Sequence, residues 1–379
     1  MSSKGRVLVV GAGITGATAA RLLAEKGYEV IVYEKNDSIG GICSDEFYIH
    51  ENKNHYLQKY GPHIFHTNKK YIYDFIERFS IINKYKHKVI ALDSFGESYQ
   101  YPINNNALMK VFNPFNNPAI TIPIIKQFIK EDIKKNKSKE TDFSSVMINK
   151  IGSQLFYTFI YNYSKKQWGN LEKISSSLSS RLPIKFSYND YFFNDQYQGI
   201  PISGFSSMIQ KMLTHPNIRI ETNTEFNNNL PFNTTGIIYT GRLDEFFNYQ
   251  YGILNYYSTY FELRDTMNAY SLLDSYATLN FIGNEEKFTR ITNCNKFMFK
   301  EYQSSKTIIE HPLQNEYDET KNLPLYPAPT SENNKRRNKY YSLLKKIQKN
   351  IIVCGRLGLC KYLNMDEAIE SAFIAVKKF

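Results

Sequence analysis

The chain has 379 residues, 42% of them hydrophobic, with 30 Tyr and 26 Phe against a single Trp. That length exceeds one small core and predicts a globular protein of two or three domains. The formal net charge is +11, which describes either a generally basic surface or a cleft that attracts an anionic substrate. No zinc-ligand spacing, basic arm or RNA-binding aromatic motif supports nucleic acid. The densest positive runs, 126–139 and 335–349, alternate with apolar residues at helical spacing and read as solvated helix faces.

Cys43, Cys294, Cys354 and Cys360 form neither C-x-x-C nor a metal-ligand spacing. They read as reduced, mostly structural thiols of a cytoplasmic protein. A first strand entered by Arg6 leaves no room for a signal peptide. No apolar run approaches the ~20 residues of a membrane span.

Residues 7–10 read as a short buried strand, and Gly11-Ala12-Gly13-Ile14-Thr15-Gly16 follows at once. Residues 17–26 read as a helix with a small face of Ala17, Ala20 and Ala24; 29–33 read as a second strand with Glu34 at its end. This is G-x-G-x-x-G in its required setting, strand before and helix after. Gly11 allows the tight turn, Gly13 lets the backbone approach a pyrophosphate, and Gly16 lets helix and strand pack closely. The helix N-terminus offers free N–H groups and a positive dipole end to phosphates. Glu34, 18 positions after Gly16, has the spacing of a carboxylate that reaches a ribose hydroxyl. Ile14, Thr15, Lys35 and Gly41 complete the candidate cofactor site. The acid followed by Gly40-Gly41 resembles the extended N-terminal signature of FAD-binding proteins more than that of NAD dehydrogenases.

Residues 44–59 form a polar stretch without a clear period. In Tyr60-Gly61-Pro62-His63-Ile64-Phe65-His66-Thr67 two histidines stand three apart behind a Gly-Pro turn. No companion ligand pair supports a metal, which leaves packed imidazoles or an active-site role. A helix is predicted over 70–79, a β-hairpin over 85–101, loop over 102–123, and helices over 124–139, 143–151 and 155–166. Trp168 follows in Lys165-Lys166-Gln167-Trp168-Gly169, as a core ring or as a base-stacking ring in a mobile turn. Beyond Arg181-Leu182-Pro183 and an aromatic run at 186–193, the spacing predicts a helix over 206–213. Strands are predicted over 218–221 and 236–241, the latter rejoining the first sheet. Alternation in 256–263, 277–282, 288–292 and 306–310 predicts an antiparallel sheet. An amphipathic helix over 339–349, a parallel-type strand over 351–356 and a last helix over 364–378 close the chain. Asn364 and Glu367 read as a capping box for that helix.

Several of these stretches together resemble the UDP-galactopyranose mutase family. They are the glycine fingerprint with Glu34 and Gly40-Gly41; Tyr60-Gly61-Pro62-His63-Ile64-Phe65-His66-Thr67; Lys166-Gln167-Trp168-Gly169; Arg181-Leu182-Pro183; Tyr197-Gln198-Gly199-Ile200-Pro201; Thr289-Arg290-Ile291-Thr292; and Gly355-Arg356-Leu357-Gly358 with Tyr362 and Met365-Asp366. They run from end to end in family order. The resemblance implies a flavoenzyme that contracts the sugar ring of a nucleoside diphosphate sugar with no net redox change. It implies that N5 of reduced FAD attacks the anomeric carbon and the nucleoside diphosphate leaves and returns, with the protein supplying position and electrostatics.

The resemblance also implies roles. Arg181 and Arg290 resemble the arginines that hold the diphosphate, a task suited to planar, permanent, bidentate guanidinium. Tyr163 and Trp168 resemble mobile-loop aromatics near the nucleotide, with Phe159 near the base and Tyr362 at the diphosphate. His63 and Ile64 resemble residues beside the flavin, and Arg356 the arginine near the cofactor. The last helix, beginning at Met365-Asp366, would point its positive end at the flavin and favour its anionic reduced form. The catalytic candidates are therefore Arg181, Arg290 and His63.

Departures from the family pattern bear on substrate choice. Phe192, two residues before the substrate candidate Asn194, stands where a tyrosine is usual. His311 replaces another phosphate-side tyrosine, and Asn364 replaces an aspartate near the sugar. The segment Asn293-Cys294-Asn295 also differs. Lost hydroxyls weaken binding of the standard substrate, and changed polar partners re-aim specificity. The substrate readings are UDP-galactopyranose, and dTDP-fucopyranose or another nucleotide sugar. An FAD-dependent oxidoreductase and a nonenzymatic sugar-nucleotide binder are the readings of other classes.

The implied architecture is α/β. A discontinuous FAD-binding Rossmann-like domain (1–80, 198–245 and 350–379) carries an inserted helical domain (100–185) and an antiparallel sheet domain (81–99, 186–197 and 246–349). The expected partners are a nucleoside diphosphate sugar, an external electron donor for the flavin and a second subunit in a homodimer, with no nucleic acid and no membrane span.

Overall fold

A computed structural model describes residues 4–50, 52–181, 184–227, 234–265, 270–298, 306–313, 323–347 and 350–379. Strand β1 (Arg6–Val10), helix α1 (Ile14–Glu25) and strand β2 (Glu29–Tyr33) open the chain as the fingerprint predicts. Ala17, Ala20 and Ala24 are buried, and their small side chains let neighbouring elements lie close to α1. A hairpin follows, β3 (Asp45–His50) and β4 (Lys53–Gln58), then β5 (Phe65–Thr67) and α2 (Lys70–Glu77). The strands β6 (Val89–Leu92) and β7 (Ser98–Tyr101) form the predicted second hairpin.

The helical layer comprises α3 (Asn105–Phe112), α4 (Ile122–Lys135), α5 (Phe143–Ile151) and the single turn α6 (Ser153–Leu155). A π-helical stretch, Phe156–Tyr161, then runs into α7 (Asn162–Trp168). The rest is β8 (Tyr197–Gly199), α8 (Gly204–Leu213), β9 (Ile218–Glu221), β10 (Thr234–Tyr239), α9 (Leu243–Phe246), β11 (Tyr256–Asp265), β12 (Thr278–Phe281), β13 (Arg290–Thr292), β14 (Lys306–Leu313), β15 (Tyr326–Pro327), α10 (Ser331–Leu344), β16 (Ile351–Val353), the turn α11 (Gly355–Gly358) and α12 (Met365–Val376).

Five strands form a parallel sheet in the order β16-β10-β1-β2-β9. The strand at 236–241 does rejoin the first sheet, and the last strand pairs beside it. Apolar runs on both faces suit a sheet covered on both sides. One face packs Val7, Val9, Val30 and Val32 against α1, α8 and α12. The other packs Leu8, Ile237 and Tyr239 with Leu243 and Tyr340.

A second sheet has the order β15-β11-β14-β13-β12-β6-β7. It differs from the purely antiparallel sheet expected, because β6 and β12 pair in parallel with Thr278 opposite Val89. These strands meet from distant parts of the chain, so no hairpin imposes their direction.

Three local expectations change. The polar stretch 44–59 folds as the β3–β4 hairpin, in which Asp45 accepts hydrogen bonds from the Ser206 amide and the Tyr56 hydroxyl at 2.8 Å each. The loop-rich segment contains α3, capped where Asn104 Oδ1 accepts from the Ala107 amide at 3.0 Å. Helix α10 begins well before 339 because Thr330 Oγ1 caps it, accepting from the Asn333 amide at 3.2 Å. The four cysteines are free and buried. Among the described residues no helix is long and apolar enough to cross a membrane, and no His, Cys, Asp or Glu cluster is arranged to hold a metal.

Candidate active site

The glycines of the first turn make a cradle. Gly11 has φ +98°, and a Cβ there would lie 2.2 Å from Thr240 Oγ1. A Cβ on Gly16 would lie 1.9 Å from the Gly11 carbonyl oxygen, so α1 and the turn can touch only as glycines. Gly13 differs: its Cβ would meet only Gly40 and Gly41, at 3.9 Å. It pairs with Gly40 as an isolated bridge and caps α1 without any side-chain hydrogen bond. The first-turn N–H groups of α1 therefore face a cradle of bare backbone, the arrangement that binds phosphate.

Glu34 lies beneath this turn. Its carboxylate accepts from the Ala12 amide at 2.8 Å and from the amide and side chain of Asn36 at 3.0 and 2.8 Å. Those three bonds leave lone-pair capacity for a ribose hydroxyl. Ile14 and Thr15 are buried, and Lys35 is exposed beside Glu34. Gly355, at φ +77°, packs on Thr15, where a Cβ would come within 2.9 Å of the Thr15 hydroxyl. Glycine backbone, open helix N–H groups and a carboxylate together fit the adenosine diphosphate end of a dinucleotide.

A second group of residues meets farther along. Gln58 locks the His63 backbone, accepting from its amide at 2.6 Å and donating to its carbonyl at 2.9 Å. His63 Nδ1 donates to the Gly61 carbonyl at 2.9 Å. Burial, then the nearby Arg356 charge, pushes the His63 pKa down to about 4, so the ring is neutral near neutral pH. Ile64 is buried beneath it. Thr67 donates to Asp366 at 2.9 Å and ties β5 to the start of α12. Asn364 caps that helix in the predicted capping box, its amide donating to Glu367 at 2.6 Å. Arg356 donates to the carbonyls of Leu325 and Leu363 at 3.0 and 2.7 Å. Its guanidinium lies 4.9 Å from the Tyr362 ring centre and 5.6 Å from that of Tyr326.

Arg290 stands opposite Glu310 across β13 and β14. It donates to the Tyr163 hydroxyl at 2.9 Å, and its Nε lies 3.5 Å from Glu310 Oε1. Burial opposes the charge on Arg290, yet Glu310 and Tyr163 outweigh it and hold the group cationic. Burial also raises the Glu310 carboxyl, which the Arg290 charge only partly offsets. Gly61 lies against this pair, since a Cβ there would come 3.6 Å from Glu310 Cδ.

Trp168 ends α7 with its ring edge-on to Tyr257 and Tyr326, at 5.4 and 5.8 Å. Tyr326 in turn meets Tyr362 at 5.1 Å. The Lys166 ammonium donates to the carbonyls of Phe281 and Phe288 at 2.8 and 3.1 Å, fastening α7 to the β12–β13 turn. One constellation thus contains a cation, an aromatic wall and a neutral histidine, drawn from stretches far apart in the chain.

Arg181 ends a short helical turn, and its side chain lies outside the described residues. Phe159, expected near a base, is 1% exposed and meets the Tyr99 ring at 5.3 Å inside the helical core. His311, expected on the phosphate side, points from the opposite sheet face to Glu310, because neighbouring residues of a strand alternate. There it bonds Glu262 at 2.9 Å. Phe192 packs with His87, Tyr101 and Phe193. Asn194 is exposed beside Asp195, which binds His66 at 2.8 Å and Asn68 at 2.6 Å. His66 therefore serves a different partner from His63. Asn295 accepts from the Tyr56 amide at 2.9 Å and braces β4.

Three residues enter the constellation without having been singled out as site residues. Glu310 carried a legible signal, a lone carboxylate in the apolar strand Thr307-Ile308-Ile309-Glu310. His87 is buried, with its pKa driven down to about 3 by burial and then by Arg290 and His66. Tyr326 carried no signal, since it is one of 30 tyrosines.

A family model described as UDP-galactopyranose mutase matches residues 158–362, and one described as an NAD(P)-binding Rossmann-like domain matches 9–79. A dTDP-fucopyranose mutase of Escherichia coli is 30% identical, the match covering 98% of each chain. A probable UDP-galactopyranose mutase of Klebsiella pneumoniae is also 30% identical, over 98% of this chain and 94% of that one. The crystal structure of a reduced UDP-galactopyranose mutase has the same fold, with TM-score 0.73 and 16% identity, covering 99% of this chain and 95% of that one.

Proposed function

This chain belongs to the UDP-galactopyranose mutase family, and we propose that it interconverts the pyranose and furanose forms of a nucleotide sugar with FAD as its cofactor. A mutase is an isomerase, so the reaction leaves no net redox change. The observation that carries this reading is Arg290, held cationic beside Tyr163 and next to the aromatic group of Trp168, Tyr326 and Tyr362.

The glycine cradle and Glu34 would hold the adenosine diphosphate of FAD. The start of α12 and Arg356 would lie toward its ring, where their positive charge favours an electron-rich, anionic form. Bound in that reduced form, FAD would supply the nucleophile that the ring contraction needs. Arg290 has donors left beyond Tyr163 for the diphosphate oxygens. Its charge stabilises the nucleoside diphosphate as it leaves and keeps it placed for return. Trp168 closes over the base, and Arg181 supplies a second guanidinium. His63, neutral and fixed by Gln58 and Gly61, adds shape and a hydrogen-bonding edge without adding charge.

Among nucleotide sugars, a 6-deoxy sugar such as dTDP-fucopyranose suits the apolar setting of Phe192 between His87, Tyr101 and Phe193. UDP-galactopyranose is the competing substrate. The reading includes an external electron donor, a cytoplasmic setting and a homodimer, the last measurable by light scattering. The deciding experiment incubates dithionite-reduced enzyme separately with UDP-galactopyranose and dTDP-fucopyranose and looks for the furanose by chromatography. Preference for the fucose substrate supports the finer reading; turnover of neither sinks the proposal.

A further inference from the structure

We propose that the open groove between α4, the end of α5 and residues 184–186 is a binding site for an amphipathic anion, a single aliphatic chain with a phosphate or carboxylate head. The groove holds about 390 Å³, within the range of small-molecule sites, and none of its lining residues belongs to the Arg290 constellation. Its floor is apolar. Ile129 and Ile133 lie one turn apart on α4 and meet Ile151 from α5.

Its rim is basic. Lys126 and Lys130 form the next row of α4, and Lys150 faces them from α5. The Lys126 ammonium rides 4.5 Å from the centre of the Phe186 ring, and Lys150 donates to the Ser179 carbonyl at 2.8 Å. Among the described residues none of the three lysines pairs with a carboxylate. The two acids of α4 are engaged elsewhere. Glu131 accepts from Gln127 at 3.0 Å, and Asp132 accepts from Ser153 at 2.7 Å and from the Gln154 amide at 3.0 Å. Three ammonium groups without a carboxylate partner among the described residues, set around an isoleucine floor, match an anionic head on an aliphatic tail. Phe186, 47% exposed, would cover the tail. The concavity favours one inserted chain over a flat bilayer surface.

The test titrates flavin-loaded enzyme with dodecyl phosphate below its micelle threshold, by calorimetry. Parallel titrations use dodecanol, inorganic phosphate and phosphatidylglycerol vesicles. Saturable one-site binding of dodecyl phosphate is expected, weakened roughly tenfold or more in Lys126→Glu/Lys130→Glu. These lysines sit at the rim, so the double variant should keep its melting temperature. Ile133→Ser is a second probe of the floor and should weaken dodecyl phosphate while leaving the weak phosphate response unchanged. The proposal is overturned by absent saturation, by indifference to the charge reversal, by equal binding of inorganic phosphate or dodecanol, or by binding to vesicles alone.

Discussion

Arg290 Nε and Glu310 Oε1 lie 3.5 Å apart across adjacent strands, and neither atom completes a hydrogen bond. The pair is close enough to attract and too loosely seated to be satisfied. Breaking a buried ion pair by removing one partner costs several kcal/mol, less here because the Arg290 side chain is 30% exposed. Glu310→Gln should therefore lower the stability of the ligand-free enzyme by about 2 kcal/mol. A bound nucleoside diphosphate would replace the missing negative charge. Its stabilising shift in melting temperature should then be larger in the variant than in the wild type. Equal shifts would show that Glu310 and the diphosphate do not share Arg290.

His63 and His87 make the fold sensitive to acid. Burial pushes their pKa values down to about 4 and about 3, from 6.5. Below pH 6.5 the unfolded chain takes up protons that the native state refuses. Stability is therefore complete above that pH and falls as pH drops toward the native values. Each histidine contributes a slope of about 1.4 kcal/mol per pH unit. Urea unfolding between pH 6.5 and 5, above the carboxylate range, should show this loss. His87→Gln should remove about one proton's worth of slope; an unchanged slope would place His87 outside the titration.

Gly13 and Gly16 separate folding from cofactor binding. An alanine at 16 would press its Cβ to 1.9 Å from the Gly11 carbonyl oxygen. Gly16→Ala should destabilise the chain by about 2–3 kcal/mol through overpacking. Gly13 has φ −76° and meets only glycine backbone at 3.9 Å, so Gly13→Ala should fold normally. Its methyl would occupy the cradle, and the purified variant should lack flavin absorbance while melting near the wild-type temperature. A fully flavin-loaded Gly13→Ala enzyme would move the pyrophosphate elsewhere.

The glycine turn was legible because its determinants are local. Gly11 to Glu34 form one βαβ unit, and the roles of its glycines follow from spacing alone. Asn364 and Glu367 were legible for the same reason. The Arg290 group was legible only in pieces, because Tyr163, Arg290, Tyr326 and Arg356 meet through sheet pairing and helix packing that no local period encodes. His311 shows the cost of this. A resemblance placed it with the phosphate contacts, but strand alternation turns it toward Glu262 once Glu310 faces Arg290. Phe159 sits with Phe156 and Ile160 on the buried side of the π-helical turn.

Trp168 offers the most direct view of the site, because it is the one tryptophan in the chain. Its ring touches Tyr257 and Tyr326 edge-on, and the lysine two residues before it is anchored to the β12–β13 turn. A nucleotide base that stacks on this ring must change its surroundings. Excitation at the red edge, where tyrosine does not absorb, should therefore give a saturable change in emission with UDP or dTDP. The nucleoside without phosphates should bind far more weakly, since Arg290 then has nothing to hold. Arg290→Ala should shift the midpoint for the diphosphate at least roughly tenfold, the loss of one charge-assisted contact, and leave the midpoint for the nucleoside in place. Trp168→Phe should keep the fold and a partial stacking surface, with binding followed instead by calorimetry. An emission that ignores all nucleotides would make Trp168 a packing residue and move the base to another wall of the site.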